Sequence, residues 1–249
     1  AHPKVDERTG EMLFFNYGLA APHFHYGELS AAGELQRYVE VPMPGPRLPH
    51  DMAFTEHYAI VNDFPMFWDP QMMEHGLYIP RFHKDMPSRF AIIPRHGVAG
   101  EIRWFEADPT YVLHWVNAYE DGDEIVLDGF FQHRPAIAPD RRASFEENLF
   151  KYLDVTAFEA RPHRWRFDLV TGVCREEPRS DELREFGLIN GTHAGRKARW
   201  SYHAITAEGW FGFTGLAKFD LESGDEQRYE LPEGVYASET AMAPRVGST

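Results

Sequence analysis

The chain has 249 residues, and its 25 Lys and Arg against 39 Asp and Glu give a formal net charge of −14. Such a charge argues against a nucleic-acid-binding protein, which needs a basic surface, and against electrostatic attachment to an anionic membrane. The single cysteine, Cys174, excludes a disulfide framework, a cysteine-bound zinc site and an iron–sulfur cluster within the chain. It is compatible with a reducing compartment such as the cytoplasm. No apolar run has the length of a transmembrane helix.

Predicted strands fill most of the chain, in short segments that are rich in aromatic and β-branched residues and separated by Gly, Pro or Asp. In chain order they are residues 11–17, 24–29, 36–41, 58–62, 90–94, 102–106, 112–120, 124–130, 164–169, 200–203, 210–213, 216–220 and 227–231. Only residues 141–153 have helical spacing, with Phe145, Leu149 and Leu153 four residues apart. Because no linker divides these segments, we expect one all-β domain over residues 1–249.

Three turns share the pattern Asp-x-x-Ser/Thr-Gly, at residues 6–10, 168–172 and 220–224. In such a turn the aspartate caps the backbone with its side chain, and the glycine supplies a positive φ. The last two turns are 52 residues apart, a period typical of the blades of a β-propeller. A β-sandwich is an equally good interpretation of the periodicity, because turn chemistry is limited.

Thirteen histidines make an all-imidazole metal site feasible. His2 and His50 each precede a predicted strand. His114 is predicted inside a strand, on a face shared with Val112 and Val116. Neutral imidazole binds iron, zinc or copper. The spacing matches no local zinc motif, and a hydrogen-bonded core histidine is the simpler interpretation of His114 taken alone.

The other ten histidines are weaker candidates for metal ligands. His23 and His25 flank Phe24 and are expected to form a surface pair. Six lie beside turns or charges and are expected to be solvated, namely His57, His75, His83, His96, His133 and His163. His193 and His203 fit neither class. Cys174 has no nucleophile context and is expected to be an inert structural thiol.

Four segments resemble signature segments of the carotenoid cleavage oxygenases, a family that includes carotenoid, apocarotenoid and lignostilbene dioxygenases. They are residues 1–6, 49–56, 111–120, and 184–190 with 195–197. Their order and separation match the family as well, and the likeness covers essentially the whole chain. Each motif alone is weak, but together they are specific.

This resemblance implies part of a seven-bladed β-propeller that holds a non-haem Fe(II) ion (Fe²⁺) on four histidines. His2, His50 and His114 match three of these metal ligands. Glu185 matches one of the glutamates that accept the N–H of a ligand histidine, at an expected distance of about 2.7–2.9 Å. Glu239 is a further match, although its flanking residues depart from the family pattern. The fourth histidine and another glutamate lie outside these residues. The chain is therefore expected to be a central portion of the propeller, truncated at both ends, and to be poorly soluble and inactive alone.

The family reaction is the cleavage of a conjugated C=C bond by O2 to give two carbonyl products. It implies an apolar alkene and O2 as partners and a role in carotenoid catabolism, and a transient membrane contact during substrate uptake fits such a substrate. Carotenoid, apocarotenoid and stilbene stay open as substrates. The alternatives are an inactive propeller that serves as a binding or scaffold module, and a zinc hydrolase, which needs a general base beside its metal.

Overall fold

The computed structural model describes residues 2–68, 70–77, 80–96, 101–135, 142, 144, 146–147, 159–207, 209, 212–243 and 246. Within these residues the chain forms four antiparallel sheets of four strands each and one two-stranded hairpin. Most of the predicted helix at 141–153, and the first half of the predicted strand at 210–213, lie outside the described residues.

The described elements follow one another sheet by sheet along the chain. The first sheet contains β1 (Lys4–Val5), β2 (Met12–Tyr17), β3 (Phe24–Leu29) and β4 (Leu35–Glu40). The second contains β5 (Ala53–Phe54), β6 (Tyr58–Asp63), β9 (Ser88–Pro94) and β10 (Arg103–Ala107), with β7 (Met66–Trp68), α1 (Pro70–Glu74) and β8 (Pro80–Phe82) inserted between β6 and β9. The third contains β11 (Trp115–Asp121), β12 (Glu124–Phe131), β13 (Arg161–Asp168) and β14 (Cys174–Pro178). The fourth contains β15 (Arg184–Leu188), β16 (Trp200–Thr206), β17 (Phe213–Asp220) and β18 (Glu226–Glu230), with a 3₁₀ turn at Gly191–His193.

Each sheet is a meander in which strands pair in chain order, so the first strand of every sheet lies at one edge. These first strands lie next to one another. A bridge between His2 and Asp51 joins the start of the first sheet to the start of the second, and β11 contacts both β5 and β15. Successive four-stranded sheets whose first strands meet on the inner side are consecutive blades of a β-propeller. The propeller interpretation is therefore confirmed over the sandwich.

A separate apolar cluster fills each of the three interfaces between neighbouring blades. In β9, Phe90 and Ile92 belong to the cluster between the second and third blades, while Ala91 and Ile93 belong to the cluster between the first and second. Successive side chains of a strand point to opposite faces. A blade buried on both faces consequently needs a continuous apolar run, and this strand has one.

The three Asp-x-x-Ser/Thr-Gly turns adopt one conformation, as predicted. In each, the glycine N–H donates to the aspartate carbonyl oxygen at 2.8–2.9 Å, and the glycine φ lies between +74° and +82°. Asp168 Oδ1 also accepts the backbone N–H groups of Val170 and Thr171, at 2.8 and 2.9 Å. The turns at 168–172 and 220–224 connect the third and fourth strands of successive blades. Their 52-residue spacing therefore follows from equivalent positions in the propeller.

Several boundaries differ from the sequence predictions. The strand β11 begins at Trp115, so His114 lies just before the strand, and its predicted mid-strand position is wrong. The strand β17 is continuous where two strands were predicted. The strand β15 is not predicted, because Gly187 and two charged residues break the apolar pattern in its five residues. Among the described helices, none is long and apolar enough to cross a membrane.

Candidate metal centre

His2, His50 and His114 lie together on the inner side of the first three blades. Each precedes the first strand of its blade, so the three occupy equivalent positions in successive blades. One ligand atom from each lies within 4.8 Å of the other two, and the ring centroids are 4.8–5.0 Å apart. No other group of three His, Cys, Asp or Glu side chains with this proximity occurs in the part of the chain that the structure describes.

The spacing of the ring nitrogens fits a single transition-metal ion. His2 Nε2 and His50 Nε2 are 3.1 Å apart. Two nitrogens bound at about 2.1 Å and at right angles to one ion lie about 3.0 Å apart. Imidazole nitrogen suits iron, zinc, copper or nickel, whereas calcium and magnesium prefer oxygen. The residues present therefore fit a histidine-bound transition metal.

Burial keeps two of the three imidazoles neutral. It lowers the pKa of His50 to about 4, and the neighbouring His114 and His2 oppose a positive charge there as well. Burial also lowers the pKa of His2, against the attraction of Asp51. Neutral imidazole has a free lone pair on one ring nitrogen, which is the form that binds a metal.

Glu185 orients the third imidazole. Its Oε2 lies 2.8 Å from His114 Nδ1, and the residue is 1% exposed. Burial disfavours the charged form of His114, but the hydrogen bond to Glu185 and its charge outweigh burial and raise the His114 pKa. Because the carboxylate accepts the Nδ1 proton, Nε2 of His114 is left as the ligand atom.

A bulge in β15 brings Glu185 to this position. The register of β15 against β16 shifts between Glu185 and Leu188, and Phe186 has a left-handed backbone with φ +53°. A Cβ on Gly187 would lie 2.4 Å from Val116 Cγ2, so glycine is needed where β15 approaches the third blade. The Phe186 ring lies 4.9 Å from the His114 ring. The bulge thus places a carboxylate and an aromatic ring beside the same histidine.

A cavity of about 150 Å³ opens beside the histidines, and its lining includes His2, His114, Phe186, Leu188 and Glu239. Glu239 acts on His114 through its charge, which adds to the effect of Glu185 in raising the His114 pKa. Among the described residues it forms no hydrogen bond to the three histidines. The structure therefore brings Glu239 to the site but not into the contact that the family resemblance implies.

Two other histidines are buried, one of them against its prediction. His163, predicted to be solvated, is 8% exposed and packs against Phe131 and Trp165. That prediction is wrong because β13, a central strand of the third blade, begins at Arg161 and not at the predicted residue 164. His203 is 1% exposed, and its Nε2 lies 2.8 Å from Ser201 Oγ.

Burial raises the pKa of Cys174 to about 12, which agrees with the prediction of an inert thiol.

His203 makes the stability of the fold sensitive to acid. Burial lowers its pKa to about 3, whereas an unfolded histidine has a pKa of about 6.5. Below about pH 6.5 His203 is protonated in the unfolded chain but stays neutral in the folded chain. The free energy of unfolding therefore falls as the pH drops towards 3. We expect a loss of about 2 kcal/mol between pH 7 and pH 5 from this residue.

Chemical denaturation of the full-length protein at both pH values tests this expectation. The His203→Gln variant should lose less stability than wild type on going from pH 7 to pH 5. His75→Gln, which changes an exposed histidine, should behave as wild type does. An identical pH dependence in His203→Gln and wild type would rule the effect out.

Comparisons with known proteins agree with this architecture. A family model described as retinal pigment epithelial membrane protein matches residues 1–249. The carotenoid 9,10(9',10')-cleavage dioxygenase 1 of Pisum sativum is 32% identical over 264 residues, covering 100% of this chain and 47% of the relative. A variant of the Synechocystis apocarotenoid oxygenase superposes with a TM-score of 0.83 at 25% identity, covering 100% of this chain and 53% of that one. The lignostilbene dioxygenase of Pseudomonas brassicacearum superposes with a TM-score of 0.75 at 24% identity, covering 92% and 50%. The chain spans about half the length of the relatives it matches.

Proposed function

This chain belongs to the retinal pigment epithelial membrane protein family, that of the carotenoid cleavage oxygenases, and we propose that the protein is a non-haem Fe(II) dioxygenase. The proposed reaction cleaves one conjugated C=C bond of a carotenoid, an apocarotenoid or a stilbene with O2 and gives two carbonyl products. One observation carries the proposal. In a member of this family, one ligand atom from each of His2, His50 and His114 lies within 4.8 Å of the other two. The Glu185 carboxylate is bonded to the ring of His114.

The residues of this chain would hold and tune the ion. When bound, Fe(II) supplies a redox-active centre at which O2 reacts beside the alkene. His2 and His50 offer neutral ring nitrogens as ligands. Glu185 fixes the orientation of the His114 ring, and its negative charge makes this imidazole a stronger ligand without contacting the metal itself. The resemblance supplies a fourth histidine from outside these residues. We accordingly propose that residues 1–249 form a portion of one seven-bladed propeller domain.

The wall of the cavity supports an apolar substrate. Phe186, Leu188 and Trp115 line part of it, together with His2 and His114. This aromatic and aliphatic part of the wall suits contact with a conjugated alkene, while Lys4, Asp51 and Glu239 make the rest of the wall polar. Glu239 adds a carboxylate to the same lining, which supports its proposed role as a negative charge near the ion.

The two rival functions agree less well with the site. A propeller that only binds partners has no need of three converging imidazoles. A zinc hydrolase needs a free general base, and the buried Glu185 carboxylate is not free for that role, because it is bonded to His114. The single cysteine supports a proposed location in a reducing compartment such as the cytoplasm.

The test uses full-length protein that is reconstituted with Fe(II) without oxygen and then given air and one carotenoid, one apocarotenoid or one stilbene. We expect two carbonyl products from at least one substrate class, with one O2 consumed for each bond cleaved. Protein loaded with zinc is the control and should cleave none of them. Alkene binding without O2 consumption by iron-loaded protein would instead favour the binding module.

A further inference from the structure

Asp51 is a buried carboxylate that joins the starts of three blades. It is 2% exposed. Its Oδ1 accepts the backbone N–H of Met52 at 2.7 Å, and its Oδ2 accepts the backbone N–H of Trp115 at 2.9 Å. Lys4 Nζ lies 2.8 Å from Oδ1 and 3.0 Å from Oδ2. The backbone of Asp51 also forms a parallel bridge with His2.

Each of these contacts is one or two residues away from a candidate metal ligand. The neighbouring pairs are Lys4 with His2, Asp51 with His50, and Trp115 with His114. Consecutive Cα atoms are 3.8 Å apart across a planar peptide. Fixing the N–H of Trp115 therefore fixes the position from which the His114 ring projects. His50 immediately precedes Asp51, and His2 is held through its own backbone bridge to Asp51.

We propose that Asp51 is a positioning residue, which holds the first strands of three blades at the separation at which their imidazoles bind one metal ion. This proposal rests on the proposed metal centre, whose geometry it explains. Asp51 is not itself a metal ligand. A carboxylate has about four acceptor sites. The two backbone N–H groups occupy two of them, and the Lys4 ammonium, which contacts both oxygens, occupies the other two.

A simpler role is attraction between the charge of Asp51 and the cation, and Lys4 separates the two explanations. The Lys4 ammonium neutralises Asp51 and repels a metal ion. If charge is the whole effect, Lys4→Met should tighten metal binding. If Asp51 positions the histidines, the same change breaks the tie between the His2 segment and the second blade, and metal binding should weaken.

The experiment titrates metal-free full-length protein with Co(II) and follows the visible absorption of the bound ion, which reports its coordination geometry. We expect Asp51→Asn to lower Co(II) affinity by about 10–100-fold and to change the shape of the spectrum. The amide of this variant presents an N–H donor where the carboxylate accepts one. Lys4→Met should also weaken binding, by a smaller factor, because one tie of three is lost.

Asp128→Asn is the matched control. Asp128 is 3% exposed and bonds Arg164 at 2.7 and 3.0 Å, away from the three histidines. This variant should lower the Tm of the metal-free protein and leave Co(II) affinity and the spectrum unchanged.

Wild-type Co(II) affinity in Asp51→Asn, or tighter binding by Lys4→Met, overturns the proposal. Equal losses of affinity in Asp51→Asn and Asp128→Asn at equal losses of Tm also overturn it, because the effect would then belong to the fold. If Asp51→Asn does not fold, Lys4→Met decides, since the Lys4 side chain is 26% exposed and Asp51 keeps its two backbone N–H donors in this variant. Wild-type protein that binds no Co(II) refutes the metal centre itself, a result distinct from the others.

Discussion

Full-length protein with His50→Ala is expected to bind almost no iron and to cleave no alkene. The change removes one of three imidazoles whose nitrogens lie within 4.8 Å of one another. Loss of a mere hydrogen-bonding partner of a ligand costs about 10–100-fold in metal affinity, and loss of a ligand should cost more. His50 is a cleaner choice than His114, whose removal would leave the buried Glu185 carboxylate without its partner.

Iron content by elemental analysis and turnover under air measure this effect. His57→Ala is the control, because the His57 side chain is 70% exposed and bonds Glu120 outside the cluster. It should keep wild-type iron and turnover. Full iron occupancy in His50→Ala would remove this histidine from the metal centre.

Glu185→Gln is expected to lower metal affinity or turnover by about 10–100-fold. The glutamine keeps the shape of the side chain but removes the negative charge that the His114 ring donates to at 2.8 Å. It can also turn its amide group towards Nδ1, and the ring then loses its acceptor. The residue is 1% exposed, so water cannot replace the lost bond.

Glu176→Gln is the control for this variant, because Glu176 lies 3.3 Å from another histidine, His163, on the third and fourth strands of the third blade. It changes a Glu–His pair away from the cluster and should leave iron content and turnover as in wild type. Equal values in Glu185→Gln and wild type would show that Glu185 does not act on the metal centre.

The sequence predicts the residues of the candidate site better than their geometry. The segments around His2, His50 and His114 are recognisable one by one, and the recurring turn indicates a propeller. That these histidines meet follows only from the fold, because it places equivalent strand starts of successive blades side by side. The predicted place of His114 inside a strand is wrong, because strand alternation cannot show where a strand begins.

Other features depend on contacts that leave no local signal. The Asp51 carboxylate reaches Lys4 and Trp115, which are 47 and 64 residues away, and no spacing rule predicts such a pair. The bulge that turns Glu185 towards His114 depends on Phe186 adopting a positive φ, which is uncommon for a bulky residue. Sequence patterns therefore identify the chemical groups, while packing between blades decides which of them touch.

Anomalous diffraction at the iron absorption edge, from crystals of full-length protein reconstituted with Fe(II), tests the metal centre most directly. We expect one strong peak at about 2.0–2.3 Å from a ring nitrogen of each of His2, His50 and His114, with Glu185 still bonded to the His114 ring. Iron located elsewhere in the molecule, or bound without these three nitrogens, would contradict it.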